Sequence, residues 1–519
     1  MKMKVTATAV LFLMGAAQAV PPNIVYILAD DMGPGDVSCY NAEGKISTPN
    51  IDRLAREGMK FMDMHTNSSV CTPTRYGILT GRYAWRTSQL KMGVLNGYSQ
   101  HLIEPTRETV ASLLKKQGYA TACIGKWHLG MDWQQTPGSH LTGKKISWKK
   151  VDPKAPIKNG PNSVGFDYFY GISGSLNMSP HAYIENDRMQ GEIEKLAKMD
   201  DVNARGFTQP STPGYAAKEY VQQEVVPRFT RKATDWIREN KDGPFFLYFP
   251  LPSPHSPLVP NAAFKGKSGL NLHGDFCLET DWAVGEVLKT LDELDLTDNT
   301  LVVFTADNGT SPRAGFEELA AKGHHPSWIY RGMKGTTWEG GHRVPFVVRW
   351  PQQVKAGAVS SALICSTDFF ATCAELTGVK PAPDAGEDSV SFLPALQGRP
   401  QPGSDDRLVI HHSDKGIFSI RRGTWKVMFD AFGGSGRYDP RASEPIRNIA
   451  SLQLYDMASD ATENVNLAAQ YPEIVQSLRK DLAGIIRRGR STPGPNLPSD
   501  YNDPNVAWPQ LEPVLNELK

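Results

Sequence analysis

Cys71-Thr72-Pro73-Thr74-Arg75, running on through Tyr76-Gly77-Ile78-Leu79-Thr80-Gly81-Arg82, is the stretch with the densest chemistry in the chain. Proline suits the first position of a helix, so Cys71 is expected just ahead of a helix N-terminus, with Thr72 as its cap. Free N–H groups and the positive end of the helix dipole make such a place a natural anion site. Arg75, one turn in, adds a permanently charged planar fork that can brace an oxyanion or Cys71 itself. A lone cysteine is also a common small buried hydrophobe, so this stretch needs partners. Four other places offer them: Asp30-Asp31, Lys126 with His128, His255, and Asp307-Asn308. Asp30, Asp31, Asp307 and Asn308 form an all-oxygen donor set, which suits a hard cation such as Ca²⁺, with Mg²⁺ as the second choice. Zinc is disfavoured, because no His/Cys ligand spacing accompanies them.

These residues lie far apart in sequence, and the elements between them explain how they can meet. Continuous apolar runs at 24–29, 119–124, 244–249 and 300–306 each end in one of the polar sets. Runs of that kind fit strands buried on both faces of a parallel sheet. Helical patterns alternate with them, at 48–58, 72–80, 109–116, 230–240 and 281–294. The last carries Val284, Val287, Leu288, Leu291 and Leu294 on one stripe. This alternation predicts an α/β fold with a large, mostly parallel sheet flanked by helices. In such sheets the ligand crevice lies outside the carboxyl ends of the strands, so the polar sets converge on one rim. A further strand is expected at 344–350. Two long Pro/Gly-rich excursions, 132–223 and 311–343, are of a length that is usually functional. Beyond residue 394 the pattern changes to short strands at 407–410, 418–420, 426–428 and 452–455 and a helix at 472–487. This reads as a smaller C-terminal α+β subdomain of antiparallel strands and a helix.

Bulk properties narrow the function classes. At 519 residues, 40% hydrophobic and 21% charged, the chain is an ordinary globular protein of more than one unit. A net charge of +1 gives no electrostatic case for a nucleic-acid partner, so anion recognition must be local. Lys2 and Lys4, an apolar run at 9–14 and Ala17-Gln18-Ala19 read as a signal peptide over 1–19. The run is too short to span a bilayer, and no membrane span is expected elsewhere. The expected divisions are a leader at 1–19, a catalytic unit at 20–393 and a C-terminal unit at 394–519, in an exported, periplasmic or secreted protein. Six cysteines are too few for a disulfide scaffold.

Cys-x-Pro-x-Arg followed by Leu-Thr-Gly-Arg resembles the signature of the type I, formylglycine-dependent sulfatases, the arylsulfatase-like branch of the alkaline phosphatase superfamily. Thr48-Pro49-Asn50-Ile51-Asp52 and the segment from Leu454-Tyr455-Asp456 to Asn464-Val465-Asn466-Leu467 resemble it too, so the likeness covers nearly the whole mature chain. The resemblance implies a sulfuric ester hydrolase in which Cys71 is oxidised to formylglycine (3-oxoalanine) by a formylglycine-generating or radical-type maturation enzyme. Calcium is then bound by Asp30, Asp31, Asp307 and Asn308, together with an oxygen of the hydrated aldehyde at position 71. One hydroxyl of that diol attacks sulfur, with Asp307 accepting its proton. His255 protonates the departing alcohol, and His128 deprotonates the second hydroxyl to expel sulfate. Lys126 and Lys334 hold sulfate oxygens, and Arg75 positions the diol. Residues near Lys334 and in the first excursion offer aromatic, His and Arg side chains suited to a sulfated sugar: Ser173, Asn177, His181, His324, His325, Trp328, Arg331, Trp338, His342 and Arg343. The expected partner is a sulfated glycan, a galactose or hexosamine sulfate with 6-O as the favoured position. Two other readings are a phosphomonoester or phosphodiester hydrolase on the same fold, and a catalytically inactive sulfated-glycan-binding protein. The first is opposed by the single oxygen-donor set and the Cys motif, the second by the filling of every expected catalytic position.

Overall fold

The computed structural model describes residues 21–87, 93–136, 147–401, 403, 406–431, 433–434, 450–498 and 514. The leader read at 1–19 lies outside them. Its main feature is a ten-stranded sheet. In chain order the strands are β1 (Asn23–Ala29), β2 (Met59–Phe61), β3 (Ala120–Lys126), β4 (Tyr168–Ile172), β5 (Ile184–Glu185), β6 (Arg188–Met189), β7 (Phe245–Pro250), β8 (Thr300–Ala306), β9 (Phe346–Arg349) and β10 (Ala358–Ser360). They lie in the order β10-β2-β9-β8-β1-β7-β3-β4-β5-β6. The five central strands, β8-β1-β7-β3-β4, run parallel; four of them are the unbroken apolar runs, and β4 is an addition from within the 132–223 stretch read as an excursion. Every residue of β1, β7 and β8 is buried, which is what a sheet covered by helices on both faces requires. The run at 344–350 joins as β9, antiparallel to β8.

The longer helices among the described residues are α1 (Pro49–Glu57), α2 (Cys71–Thr80), α3 (Val110–Lys116), α4 (Val225–Glu239), α5 (Leu272–Glu293), α6 (Asp368–Leu376) and α7 (Pro472–Arg488). Two of their ends differ from the sequence expectation. Thr48 does not cap α1; the carboxylate of Asp281 on α5 accepts from Asn50 N and Ile51 N instead, so a tertiary partner replaces the local cap. Helix α5 begins nine residues before the amphipathic stripe, because the Asn271 side chain caps it by accepting from His273 N and Gly274 N.

The C-terminal strands β11 (Leu408–His412), β12 (Phe418–Arg422), β13 (Trp425–Met428) and β14 (Gln453–Asp456) form a consecutive antiparallel sheet. Helix α7 packs on it through Val475, Leu478, Leu482, Ile485 and Ile486, in an apolar cluster that also takes in Tyr83, Trp85, Leu363 and Cys365 from the main body. None of the six cysteines is paired. No helix among the described residues is long and apolar enough to cross a membrane.

Candidate active site

Parallel register brings the polar sets together. Ala29 of β1 pairs with Ala306 of β8, so Asp30 and Asp307, the next residues, emerge side by side, and Asp307 N donates to Ala29 O at 3.0 Å. On the other flank β1 pairs with β7 and β7 with β3, which brings Lys126 at the end of β3 to the same rim. The His255 loop follows β7 and is fastened to β1 by a bond from Asp30 N to Ser253 O at 2.9 Å. Asp31 has φ 68° and His128 φ 56°. Non-glycine residues in the left-handed region are sparse and gather at functional sites.

Cys71 is the first residue of α2 rather than a residue ahead of it, with Val70 in the capping position. Pro73 therefore sits third, and Thr72 is released from capping to donate to His128 O at 3.1 Å. The remaining motif residues hold the turn. Thr74 Oγ1 donates to Ser68 O at 3.0 Å, and Asn67 Nδ2 donates to Pro73 O at 2.9 Å. Gly81 closes α2 at φ 62°, a conformation that favours glycine. Arg82 then pairs with Glu387 at 2.8 Å.

Arg75 lies beneath Cys71, fully buried. Its Nε and Nη2 donate to Asp307 Oδ2 at 3.0 and 2.7 Å, and Nη1 donates to Lys126 O at 2.9 Å. Lys126 Nζ donates to Asp30 Oδ2. Lys334 Nζ reaches Asp31 Oδ1 at 2.6 Å, and Asn308 Nδ2 donates to that same oxygen at 2.7 Å. His255 Nε2 stands 3.6 Å from Asp31 Oδ2. Ligand atoms of Asp30, Cys71 and Asp307 lie within 4.8 Å of one another, as do those of Asp30, Asp31 and His255.

Three acidic side chains thus face Arg75, Lys126 and Lys334. Burial alone would raise the Asp30 pKa, but Lys126, His255 and Arg75 overcome it and hold the carboxyl well below the usual range. Burial and the adjacent charge of Asp30 push Asp307 upward, against the pull of Arg75. A cation between the two would relieve that repulsion. Burial also pushes the Cys71 thiol up, which makes an unmodified Cys71 a poor thiolate.

Each metal-type residue except Asp307 keeps one oxygen idle. Asp30 Oδ1, Asp31 Oδ2 and Asn308 Oδ1 are buried and have no hydrogen-bond partner. Buried polar atoms are normally satisfied, so three idle oxygens within one cluster of carboxylates fit a hard, oxygen-liganded cation. Both histidines have defined tautomers. His128 Nε2 donates to Leu95 O at 2.7 Å, which leaves Nδ1 as a buried lone pair without a partner. His255 Nδ1 donates to Ser256 O at 2.5 Å and leaves Nε2 facing Asp31. Burial, then Lys334, pushes His255 down to about 4. A bound sulfate ester would act in the opposite sense.

A cleft of about 330 Å³ opens beside His255 and Lys334, lined also by Val70, Asn177, Met178, Arg313 and Asp414. Of the residues expected to touch substrate, Asn177 lines this cleft. The others lie elsewhere. Ser173 supports the His128 turn, its carbonyl accepting from His128 N at 3.1 Å. His181 is buried, bound to Thr212 O at 2.9 Å and packed on Phe207. His325 is exposed, and Trp328 packs edge-on to Tyr330. Arg331 lies over the Trp338 ring and donates to Glu463 O. His342 stacks on His411 with centroids 3.8 Å apart, while Arg343 pairs with Glu339 at 3.0 Å and Asp63 at 3.3 Å. His324 binds Asp36 at 3.0 Å. Closeness to Lys334 in sequence misled here, because the chain reverses through the helical turn Glu339–His342 into the interior. Asp414, in the β11–β12 hairpin, carried no sequence signal. It reaches the cleft because its N–H donates to Gly335 O at 3.1 Å.

Known proteins resemble this chain over most of its length. The sequence model of the family described as Sulfatase matches residues 22–379. An N-acetylgalactosamine-6-O-sulfatase of Bacteroides thetaiotaomicron is 35% identical over 500 residues, covering 90% of this chain and 93% of its own. Human steryl-sulfatase is 32% identical, covering 98% and 94%. A solved structure described under the metabolism of multiple glycosaminoglycans by Bacteroides thetaiotaomicron superposes with a TM-score of 0.77 at 33% identity, covering 90% of this chain and 99% of that one. A phosphonate monoester hydrolase of Agrobacterium radiobacter shares the fold, with a TM-score of 0.56 at 17% identity.

Proposed function

This chain belongs to the sulfatase family and hydrolyses sulfate esters, and from that premise we propose that its substrate is a sulfated carbohydrate, that Cys71 acts as a hydrated formylglycine, and that the metal is calcium. The observation that carries the reading is the meeting of Cys71 with Asp30 and Asp307, next to three buried oxygens that lack partners. When in place, the diol supplies one hydroxyl to attack sulfur and another through which sulfate leaves, and calcium supplies positive charge against the nonbridging oxygens.

The chain's own residues do the rest. Asp30, Asp31, Asp307 and Asn308 hold the metal. Arg75 fixes Asp307 through two hydrogen bonds and keeps position 71 braced from below. Lys126 and Lys334 hold the sulfate oxygens, a form of preorganised electrostatic stabilisation that is commonly the largest catalytic term. His255 Nε2 carries a proton to the departing alcohol oxygen. His128 takes one at Nδ1, the atom its bond to Leu95 leaves free. Asn177 and the neighbouring cleft residues receive a sugar ring.

A relative named as an N-acetylgalactosamine-6-O-sulfatase supports galactose or hexosamine 6-O-sulfate as the substrate class. The basic, apolar, small-x-small start of the sequence supports an exported protein, periplasmic or secreted, with a leader at 1–19, a catalytic unit at 20–393 and a C-terminal unit at 394–519. The formylglycine reading also requires a maturation enzyme for Cys71. Matched aryl sulfate and aryl phosphate, assayed on chelated and calcium-refilled enzyme, test the reading. Calcium-restored turnover with a strong preference for sulfate is expected. An equal or greater rate on phosphate, or activity indifferent to chelation, would overturn it. A panel of sulfated sugars then identifies the ring and position.

A further inference from the structure

We propose that Asp36 is a positioning residue for the calcium ligands, a buried latch that holds the Asp30-Asp31 turn and the Asp307-Asn308 turn at fixed separation. The latch rests on calcium being the metal. Asp36 is fully buried, a few residues of chain beyond the ligands it serves, and touches neither substrate nor the reacting atoms. Its Oδ2 accepts from Gly33 N at 3.1 Å and from Thr310 Oγ1 at 2.6 Å. Thr310 Oγ1 in turn accepts from Gly33 N at 2.8 Å. Gly33 lies two residues after Asp31, and Thr310 two residues after Asn308. One carboxylate oxygen therefore closes a three-membered ring of hydrogen bonds between the two ligand-bearing turns.

The other oxygen anchors the latch to the body. Asp36 Oδ1 accepts from His324 Nε2 at 3.0 Å and lies 3.2 Å from His273 Nε2 on α5. The tautomer of His324 follows from Lys45 N, which donates to its Nδ1 at 3.2 Å and leaves the proton on Nε2. Cys277 Sγ stands 3.6 Å from His273 Nε2, and Asp36, His273 and Cys277 have the proximity of a metal site. Asp36 has no oxygen to spare for a metal, however, since four donors surround it. His324 has no lone pair to offer at Nε2. The cluster is a hydrogen-bonded clamp. Its backbone leaves no slack: a Cβ on Gly33 would meet Pro326 O at 2.3 Å and one on Gly35 would meet His325 O at 1.8 Å, so the turn lies directly on the 325–326 backbone. Gly35 N also donates to Pro326 O at 2.8 Å.

Outer partners of metal ligands commonly contribute 10–100-fold in affinity. The experiment is calorimetric titration of Ca²⁺ into chelated full-length wild type, Asp36→Asn, Thr310→Val and Thr310→Ser. Thermal midpoints are recorded at saturating Ca²⁺. Asp36→Asn and Thr310→Val are expected to weaken Ca²⁺ binding by about 10–100-fold, and Thr310→Ser, which keeps the hydroxyl, should bind within about threefold of wild type. Should Asp36→Asn fail to fold, the threonine pair decides alone. Wild-type affinity in Asp36→Asn or Thr310→Val, with or without a lowered midpoint, would overturn the latch. A wild type that binds no Ca²⁺ would overturn the calcium reading and the latch together.

Discussion

His128 and His255 enter the site with the backbone already deciding which nitrogen carries the proton. Leu95 O takes the Nε2 proton of His128, and Ser256 O takes the Nδ1 proton of His255. In the neutral ring each therefore presents a lone pair at its other nitrogen: Nδ1 of His128 accepts a proton, whereas Nε2 of His255 delivers one only from the protonated ring, which the negative charge of a bound sulfate ester favours. The leaving-group role makes a sharp prediction. General acid catalysis contributes roughly 10²–10⁴-fold, and the contribution shrinks when the leaving group needs no proton. His255→Ala should lose about that factor in kcat on a sugar sulfate and far less on 4-nitrophenyl sulfate. Steady-state kinetics on both substrates check it, and equal losses would assign His255 to binding instead. The acid pairs and the histidines were legible in sequence because each follows an apolar run, and Cys71 through the residue types of its own motif. The cleft wall was not. Asp414 reaches it through a tertiary contact that no local pattern encodes and Arg313 from the helical turn Pro312–Ala314, while His342 and Arg343 were drawn inside by Glu339 and Asp63.

Helix α5 illustrates what an element adds to a site it does not enter. Thr280 Oγ1 lies 2.8 Å from Ser253 Oγ, and Glu279 Oε2 accepts from Asn261 N at 2.8 Å, so two adjacent helical residues pin both ends of the loop that carries His255. Glu279 is fully buried and its Oε1 has no partner. Burial, with Glu224 adding repulsion and the Asn261 N–H opposing, pushes its pKa from 4.5 up to about 8. Because the folded value is raised, the folded chain binds the extra proton between those limits. The stability this contributes is whole below about 4.5 and lost as pH climbs through about 8. Glu279→Gln should therefore flatten the decline, with wild type losing on the order of a few kcal/mol relative to the variant between pH 5 and pH 9. Urea denaturation at both values measures it, and a stability difference independent of pH would contradict the assignment. Sequence periodicity located the apolar half of α5 but not its first two turns, where Asn271 capping and buried polar residues replace the stripe.

Across the whole molecule, the C-terminal sheet holds the loop that carries Lys334. Lys426 on β13 sits between Glu339 and Glu463, 2.8 Å from each, and Glu339 N donates to Glu463 Oε2 at 2.7 Å. Asp414 N and Ser69 O both bond to Gly335, so Lys334 is fastened between the β11–β12 hairpin and the approach to Cys71. Buried ion groups of this kind are costly to break, about 3–5 kcal/mol when one partner is removed, which makes the second unit part of the active site's framework. The mostly parallel sheet and the antiparallel C-terminal sheet were readable from hydrophobic runs; the order of strands was not. The docking of the units was not, since it depends on buried charges such as Lys426 and Arg421 that look like surface residues in sequence. Residue, element and framework alike converge on the state of one side chain. Mass spectrometry of the Cys71-containing peptide from enzyme with measured sulfate-ester turnover tests that directly. The expected mass is that of a residue whose thiol has been exchanged for an aldehyde, in a fraction that tracks specific activity across preparations. Full turnover by protein in which Cys71 remains entirely a thiol would contradict the account.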